Sequence, residues 1–121
     1  MLADTLKSVL SQLNKSSPDI EASAVISSDG LMMASMLPQG MDEDRVGAMS
    51  AAMLSLGERT SQELARGGLE QVLIKGNQGY VLLTGVGSES VITVLVGPNA
   101  KLGLVFLDVK RAAEVLAKSI G

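Results

Sequence analysis

The strongest constraint on the fold is the shortness of the connections between five segments with the composition of β-strands. "IEASAVIS" and "LMMASML" are separated only by "SDG", and "LEQVLIKG", "YVLLTGVG" and "VITVLVG" are separated by "NQG" and "GSES". An Asp-Gly pair supplies the positive backbone angles of a tight hairpin. A parallel crossover would need a dozen or more residues. The segments within each group are therefore predicted to be antiparallel neighbours in one sheet.

Three further segments have apolar residues at helical spacing. The first covers residues 2–13 and stops at the turn-forming run "NKSSP", the second covers residues 42–66 and is ended by the glycines at 67–68, and the third covers residues 102–120. The predicted order is α-β-β-α-β-β-β-α, an α+β fold in one domain spanning residues 1–121. We expect a five-stranded antiparallel sheet between the long middle helix and the pair of terminal helices.

The composition excludes several classes of function. The chain has one Tyr, one Phe, no Trp, a formal net charge of −3 and a pI near 4.8. It therefore lacks the stacking platforms and the basic field that nucleic acids require. With no Cys and no His, thiolate and imidazole chemistry are absent. We predict a non-enzymatic protein with no cofactor and no metal.

Two residual chemical readings have simpler explanations. The acidic run in "MDEDR" could bind a cation, but consecutive acids point in different directions around a helix and complement its N-terminal dipole. Catalysis by a serine nucleophile with a lysine as its base is the second possibility, but the chain has no sequence motif that supports it. The start of the chain, "MLADTLKSVLSQL", interrupts its apolar residues with charges and does not resemble a signal peptide, and no apolar run is long enough to span a membrane. A cytoplasmic protein without membrane insertion is expected.

The middle helix carries an unusual seam of small residues. At about 100° per residue, one stripe is formed by Val46, Met49, Met53, Leu56, Thr60 and Leu64, and we expect this stripe to lie on the sheet. A quarter-turn away lie Gly47, Ser50, Leu54, Gly57 and Ser61. Because each interior glycine costs about 1 kcal/mol relative to alanine, the seam predicts a close approach of another backbone. We expect that backbone to be a second copy of the helix; the alternatives are a loop of the same chain and a helix that merely tolerates the two glycines.

We also expect the strand that follows the middle helix to be an edge strand paired with its copy, because it alternates apolar residues and has no proline. The alternative is an ordinary edge strand, at which the charges of Glu70 and Lys75 disfavour pairing with another strand. The predicted dimer interface comprises Gly47, Ser50, Ala51, Leu54, Gly57, Ser61, Gln71, Leu73 and Lys75.

Four stretches in register resemble the Roadblock or dynein-light-chain family, whose relatives have longin- and profilin-like folds. They are "EASAVISSDGLMMAS", the acidic start of the small-residue helix, "GGLEQVLIKGNQGYVLLTGVG" and "AKLGLVFLDVKRAAEVLAKSI". The resemblance implies homodimers or heterodimers with a paralogue, formed through the middle helix and an edge strand. It also implies regulation or scaffolding of a small Ras-like GTPase, including the bacterial cell-polarity GTPase, or service as a subunit of motor or lysosomal complexes.

The side of the middle helix away from the seam is the expected GTPase-binding surface. Its candidate residues are Arg45, Ala48, Ala52, Ser55 and Arg59. No phosphate-binding glycine motif occurs in the chain, so the partner is expected to hold the nucleotide. The alternatives are a small-molecule sensor of the profilin-like or PAS type and a structural subunit of a larger complex without a GTPase.

Overall fold

A computed structural model describes residues 1–120. Its elements are α1 (Leu2–Ser16), β1 (Ile20–Ser27), β2 (Met32–Met36), α2 (Glu43–Glu63), β3 (Gln71–Gly76), β4 (Gly79–Val86), β5 (Ser90–Val96) and α3 (Leu102–Ile120). The predicted order of helices and strands is confirmed. None of the helices within residues 1–120 combines the length and the apolar character needed to cross a membrane.

The five strands form one antiparallel sheet in the order β2-β1-β5-β4-β3. In chain order the β1-β2 hairpin comes first, and β5 later pairs with β1 at the centre of the sheet. The edge strands are β2 and β3, and each is hydrogen-bonded on one side only. The antiparallel sheet expected from the short connections is confirmed. Tight turns join β3 to β4 and β4 to β5, as predicted.

The helices cover the two faces of the sheet unequally. One face is covered by α1 and α3, whose core-facing residues are fully buried; these include Leu6, Leu10, Val105, Val109 and Leu116. The opposite face carries α2 and a smaller buried cluster of Ala24, Ile26, Leu83 and Val91. A two-helix layer buries more apolar surface than a single helix, so most of the hydrophobic stabilisation lies on the α1–α3 side.

The ends of α2 follow local capping chemistry. Asp42 is the N-cap, and its carboxylate accepts hydrogen bonds from the backbone N–H groups of Asp44 and Arg45. The helix ends at Glu63, three residues before the predicted end. Ala65 adopts a φ of 58° there, and the Ser61 hydroxyl donates to the Gly67 carbonyl at 2.7 Å. These contacts end the helix before the glycine pair is reached.

Candidate protein interface

The side of α2 that faces the sheet is the small-residue seam. At its N-terminal end, Gly47 packs against the turn between β1 and β2, where an ideal Cβ on Gly47 would overlap the carbonyl oxygen of Gly30. One turn further along, the buried Thr93 hydroxyl donates a 2.7 Å hydrogen bond to the hydroxyl of Ser50. The missing and short side chains therefore let the helix backbone lie close to the hairpin turn and to β5.

The second glycine of the seam has the same role at the other end of the helix. A Cβ on Gly57 would lie 2.9 Å from Cγ2 of Val72 and 3.0 Å from Cδ2 of Leu69. Between the two glycines, Leu54 packs against the smaller buried cluster. The two glycines of the seam thus pack against the β1–β2 turn and against Leu69 and Val72, which is the alternative of a seam that packs on a segment of its own chain.

We expected Val46, Met49, Met53, Leu56, Thr60 and Leu64 to lie on the sheet, and for the exposed residues of this stripe the expectation is wrong. Met49 is 54% exposed, Leu56 60% and Leu64 66%, and within this stripe only Met53 packs against the smaller core cluster. The physical reason is the short distance between the helix and the sheet. Because the glycine and serine side allows the closest approach to the sheet, the long side chains are displaced to the flank of the helix that faces β3.

This displacement leaves an open apolar cleft beside α2. The cleft has a volume of about 640 Å³, with Met49 and Met53 on the helix side and Ile74, Val81 and Leu95 on the sheet side. A second cleft of about 380 Å³ continues along the C-terminal half of the helix between Leu56 and Val72. We call the exposed residues Met49, Leu56 and Leu64 the apolar flank of α2. Sequence reasoning assigned them to the core and missed this exposed surface.

The open edge of the sheet lies next to the apolar flank. Gln71, Leu73 and Lys75 of β3 are exposed, and within residues 1–120 this strand pairs only with β4. Ile74, on the same strand, is 39% exposed at the cleft. Of the predicted interface residues, these three on β3 are open to a partner, whereas Gly47 and Ser50 are already buried within the chain.

The five candidate GTPase-facing residues lie on the side of α2 away from the seam, and two of them, Arg45 and Ala52, also line the larger cleft. Arg45, Ala48, Ala52, Ser55 and Arg59 are all exposed. Arg59 donates to the carboxylate of Glu63 one turn later at 3.1 Å, an exposed pair of the kind that contributes little to stability. The three central residues have short side chains, so this outer side is a flat surface between two arginines.

The acidic run at the start of α2 serves the local structure. Asp42 caps the helix, and the Glu43 carboxylate accepts a hydrogen bond from the Ser35 hydroxyl of β2. Within residues 1–120, no three Asp or Glu side chains come together in a way that could hold a metal ion. The run therefore fixes where α2 begins and how it meets β2.

A family model for the Roadblock/LC7 domain matches residues 6–96, which include the hairpin, α2 and the open edge strand. The chain belongs to the Roadblock/LC7 family. The resemblance seen in the sequence is thereby confirmed. A close relative is the uncharacterized protein MJ0714 of Methanocaldococcus jannaschii, which is 39% identical over 114 residues, or 94% of this chain and 95% of the relative.

Solved structures share this Roadblock/LC7 fold at low sequence identity. Myxococcus xanthus MglB superposes with a TM-score of 0.87 at 21% identity, covering 95% of this chain and 86% of that chain. A Roadblock/LC7 domain from Streptomyces avermitilis superposes with a TM-score of 0.88 at 19% identity, covering 94% of this chain and 96% of that chain. At these identities the likeness extends to the architecture and not to individual residues.

Proposed function

We propose that this Roadblock/LC7 protein is a non-enzymatic, cytoplasmic regulator or scaffold that acts as a dimer and binds a small Ras-like GTPase. The observation that carries the proposal is the position of the apolar flank of α2 directly beside the open edge of β3. An exposed strand edge and a continuous apolar surface are each unfavourable in a monomer. Here the two adjoin, so one partner can cover both.

A second copy of the chain fits this surface through a twofold axis. Two β3 strands can pair antiparallel across such an axis and extend the sheet, because residue i of one copy then faces residue j of the other and the reverse. Gln71, Leu73 and Lys75 would lie at the join. The same axis brings the two apolar flanks together above the joined strands. The dimer contacts on the helix are therefore Met49 and Leu56 rather than the buried Gly47 and Ser50.

The GTPase would contact the outer side of α2. Its flat surface extends from Arg45 to Arg59, which is about 21 Å along a helix at 1.5 Å per residue. Short side chains between the arginines allow a partner's loops to lie against the helix backbone. The GTPase supplies the nucleotide site, and the dimer alters hydrolysis or localisation by ordering the GTPase's mobile loops.

Binding of purified Ras-like GTPases from the source cell, loaded with GDP or a non-hydrolysable GTP analogue, tests this proposal. We expect saturable binding in one nucleotide state and at least tenfold weaker binding for Ser55→Trp, since the indole would stand on the outer side of α2, outside both clefts. Ser88→Trp, in the turn between β4 and β5, is the matched control. Absence of binding in both nucleotide states contradicts the GTPase assignment, whatever the oligomeric state.

The cleft beside α2 supports a second candidate, the small-molecule sensor. Its volume of about 640 Å³ lies within the range of ligand sites, and apolar side chains form most of its wall. A metabolite panel screened by thermal shift separates the two functions. A large saturable shift with no protein partner present would favour the sensor, and a panel without effect would leave the GTPase regulator.

A further inference from the structure

The charges of the chain are divided between the two sides of the sheet. Helices α1 and α3 carry five of the ten Lys and Arg residues and only three of the thirteen Asp and Glu residues, so they have a net charge of +2 in a chain whose net charge is −3. The cations are Lys7, Lys15, Lys110, Arg111 and Lys118. All five are exposed, and within residues 1–120 none forms an ion pair. The rest of the chain has a net charge of −5.

The solvent-facing side of α3 is unusually apolar. Leu104 is 60% exposed, Leu107 44% and Val115 49%, although the core-facing side of the same helix already buries Val105 and Val109. Leu104, Leu107, Arg111, Val115 and Lys118 follow one another at intervals of three or four residues, so they share one side of the helix. We call Leu104, Leu107, Arg111, Val115 and Lys118 the α3 ridge.

A groove runs beside the α3 ridge. It lies between α1 and α3, has a volume of about 240 Å³, and is lined on the α1 side by Val9 and Leu13 and on the α3 side by Ala112 and Val115. Asp108 and Arg111 also border the groove. Grooves between neighbouring helices accept the side chains of a third helix, because ridges of one helix pack into the grooves of others.

We propose that the α3 ridge and the adjoining groove bind an acidic amphipathic helix of another protein. The apolar side chains of that helix would pack on Leu104, Leu107 and Val115, and its carboxylates would lie opposite Arg111 and Lys118. An acidic partner is indicated because the two-helix layer has a net positive charge and its cations have no partners within residues 1–120. The partner is a helix because the surface is a ridge beside a groove.

This surface is separate from the one proposed for the GTPase. α3 and α2 lie on opposite faces of the sheet, so the acidic helix and the GTPase could be bound at the same time. A flat membrane surface fits less well, because it would not fill the groove between α1 and α3. The inference does not depend on the proposed function of α2.

A display library of 18-residue helical peptides tests the proposal with the full chain. Each peptide has Leu at the a and d positions and Glu, Gln or Lys at the flanking positions. Wild-type protein is expected to enrich glutamate-rich peptides, and the double variant Arg111→Glu/Lys118→Glu is expected to shift the enrichment toward lysine. Affinity for the best peptide, measured by fluorescence anisotropy, should fall at least tenfold for Leu104→Ser. Ser88→Glu, a charge change in the exposed turn between β4 and β5, should leave the affinity unchanged.

Several results would overturn the proposal. These are the absence of any enriched peptide, an enrichment that the charge-reversing variant does not alter, and an affinity insensitive to Leu104→Ser. Binding of the protein to vesicles of phosphatidylcholine and phosphatidylglycerol at 3:1, lost in Leu104→Ser and without peptide binding, would assign the ridge to a membrane instead. A change in sedimentation for Leu104→Ser would assign it to a second copy. Far-UV circular dichroism verifies that each variant is folded.

Discussion

Gly47 of α2 packs so closely against Gly30, in the turn between β1 and β2, that a methyl group on Gly47 would overlap the Gly30 carbonyl oxygen. This contact, together with the Ser50–Thr93 hydrogen bond, determines which side of α2 meets the sheet. Once that side is chosen, Met49 and Leu56 are left on the flank. The exposed apolar surface on which the dimer proposal rests is thus a consequence of glycine packing within one chain.

Replacing Gly47 by Ala should destabilise the protein by about 1–3 kcal/mol, even after the gain in helix propensity of about 1 kcal/mol, because the added methyl meets backbone that cannot move away. Gly57→Ala is the matched control. Its methyl would meet the side-chain ends of Val72 and Leu69, which can shift, so the net change should be within about 1 kcal/mol. Urea unfolding followed by circular dichroism measures both. Equal stability of the two variants would contradict the close contact at Gly30.

The hydrogen bond between Ser50 and Thr93 should be visible in a double-mutant cycle. Ser50→Ala removes the acceptor and leaves the Thr93 hydroxyl buried without its partner, which should cost about 1–2 kcal/mol. Combining it with Thr93→Val should cost less than the sum of the single changes, with a coupling of about 1 kcal/mol. Ser55→Ala, at an exposed position of the same helix, should be nearly neutral. Strict additivity of the two buried changes would show that the hydroxyls do not interact.

Asp42 should stabilise α2 as its N-cap. Asp42→Ala removes the oxygen that accepts from two backbone N–H groups and should lower the free energy of unfolding by about 1 kcal/mol. Asp42→Asn keeps an oxygen acceptor in the same place and should retain most of the stability. If both variants unfold at the same denaturant concentration as the wild type, the capping role is wrong.

The fold was predictable because its determinants are local. The "SDG" turn and the short connections "NQG" and "GSES" force neighbouring strands to be antiparallel, and the helical periodicity marks three helices. The family followed from four stretches in register. These features depend on residues adjacent in sequence, whereas the pairing of β1 with β5 is a long-range contact that the short connections do not specify.

The orientation of α2 was not predictable in the same way. Periodicity identifies residues that share a side of a helix, but it does not say which side meets the sheet. The stripe of Met49, Met53 and Leu56 is the more apolar side, and assigning it to the core follows the usual rule. The seam of Gly47 and Gly57 faces the sheet instead, because close packing of the helix backbone requires small residues. The sequence did contain a signal, because one helix carried both an apolar stripe and a glycine seam. Two such sides indicate two contact surfaces, one for the sheet and one for a partner.

The mass of the protein in solution, measured by sedimentation equilibrium over a range of concentrations, decides whether two chains associate through the apolar flank. We expect the wild type to reach twice the 12.5 kDa chain mass and Leu56→Glu, which places a charge on the apolar flank, to remain at 12.5 kDa with an unchanged circular dichroism spectrum. Ser88→Glu should behave as the wild type. A wild type that stays at 12.5 kDa at every concentration, or a Leu56→Glu variant that still doubles its mass, would rule out a dimer formed through the apolar flank.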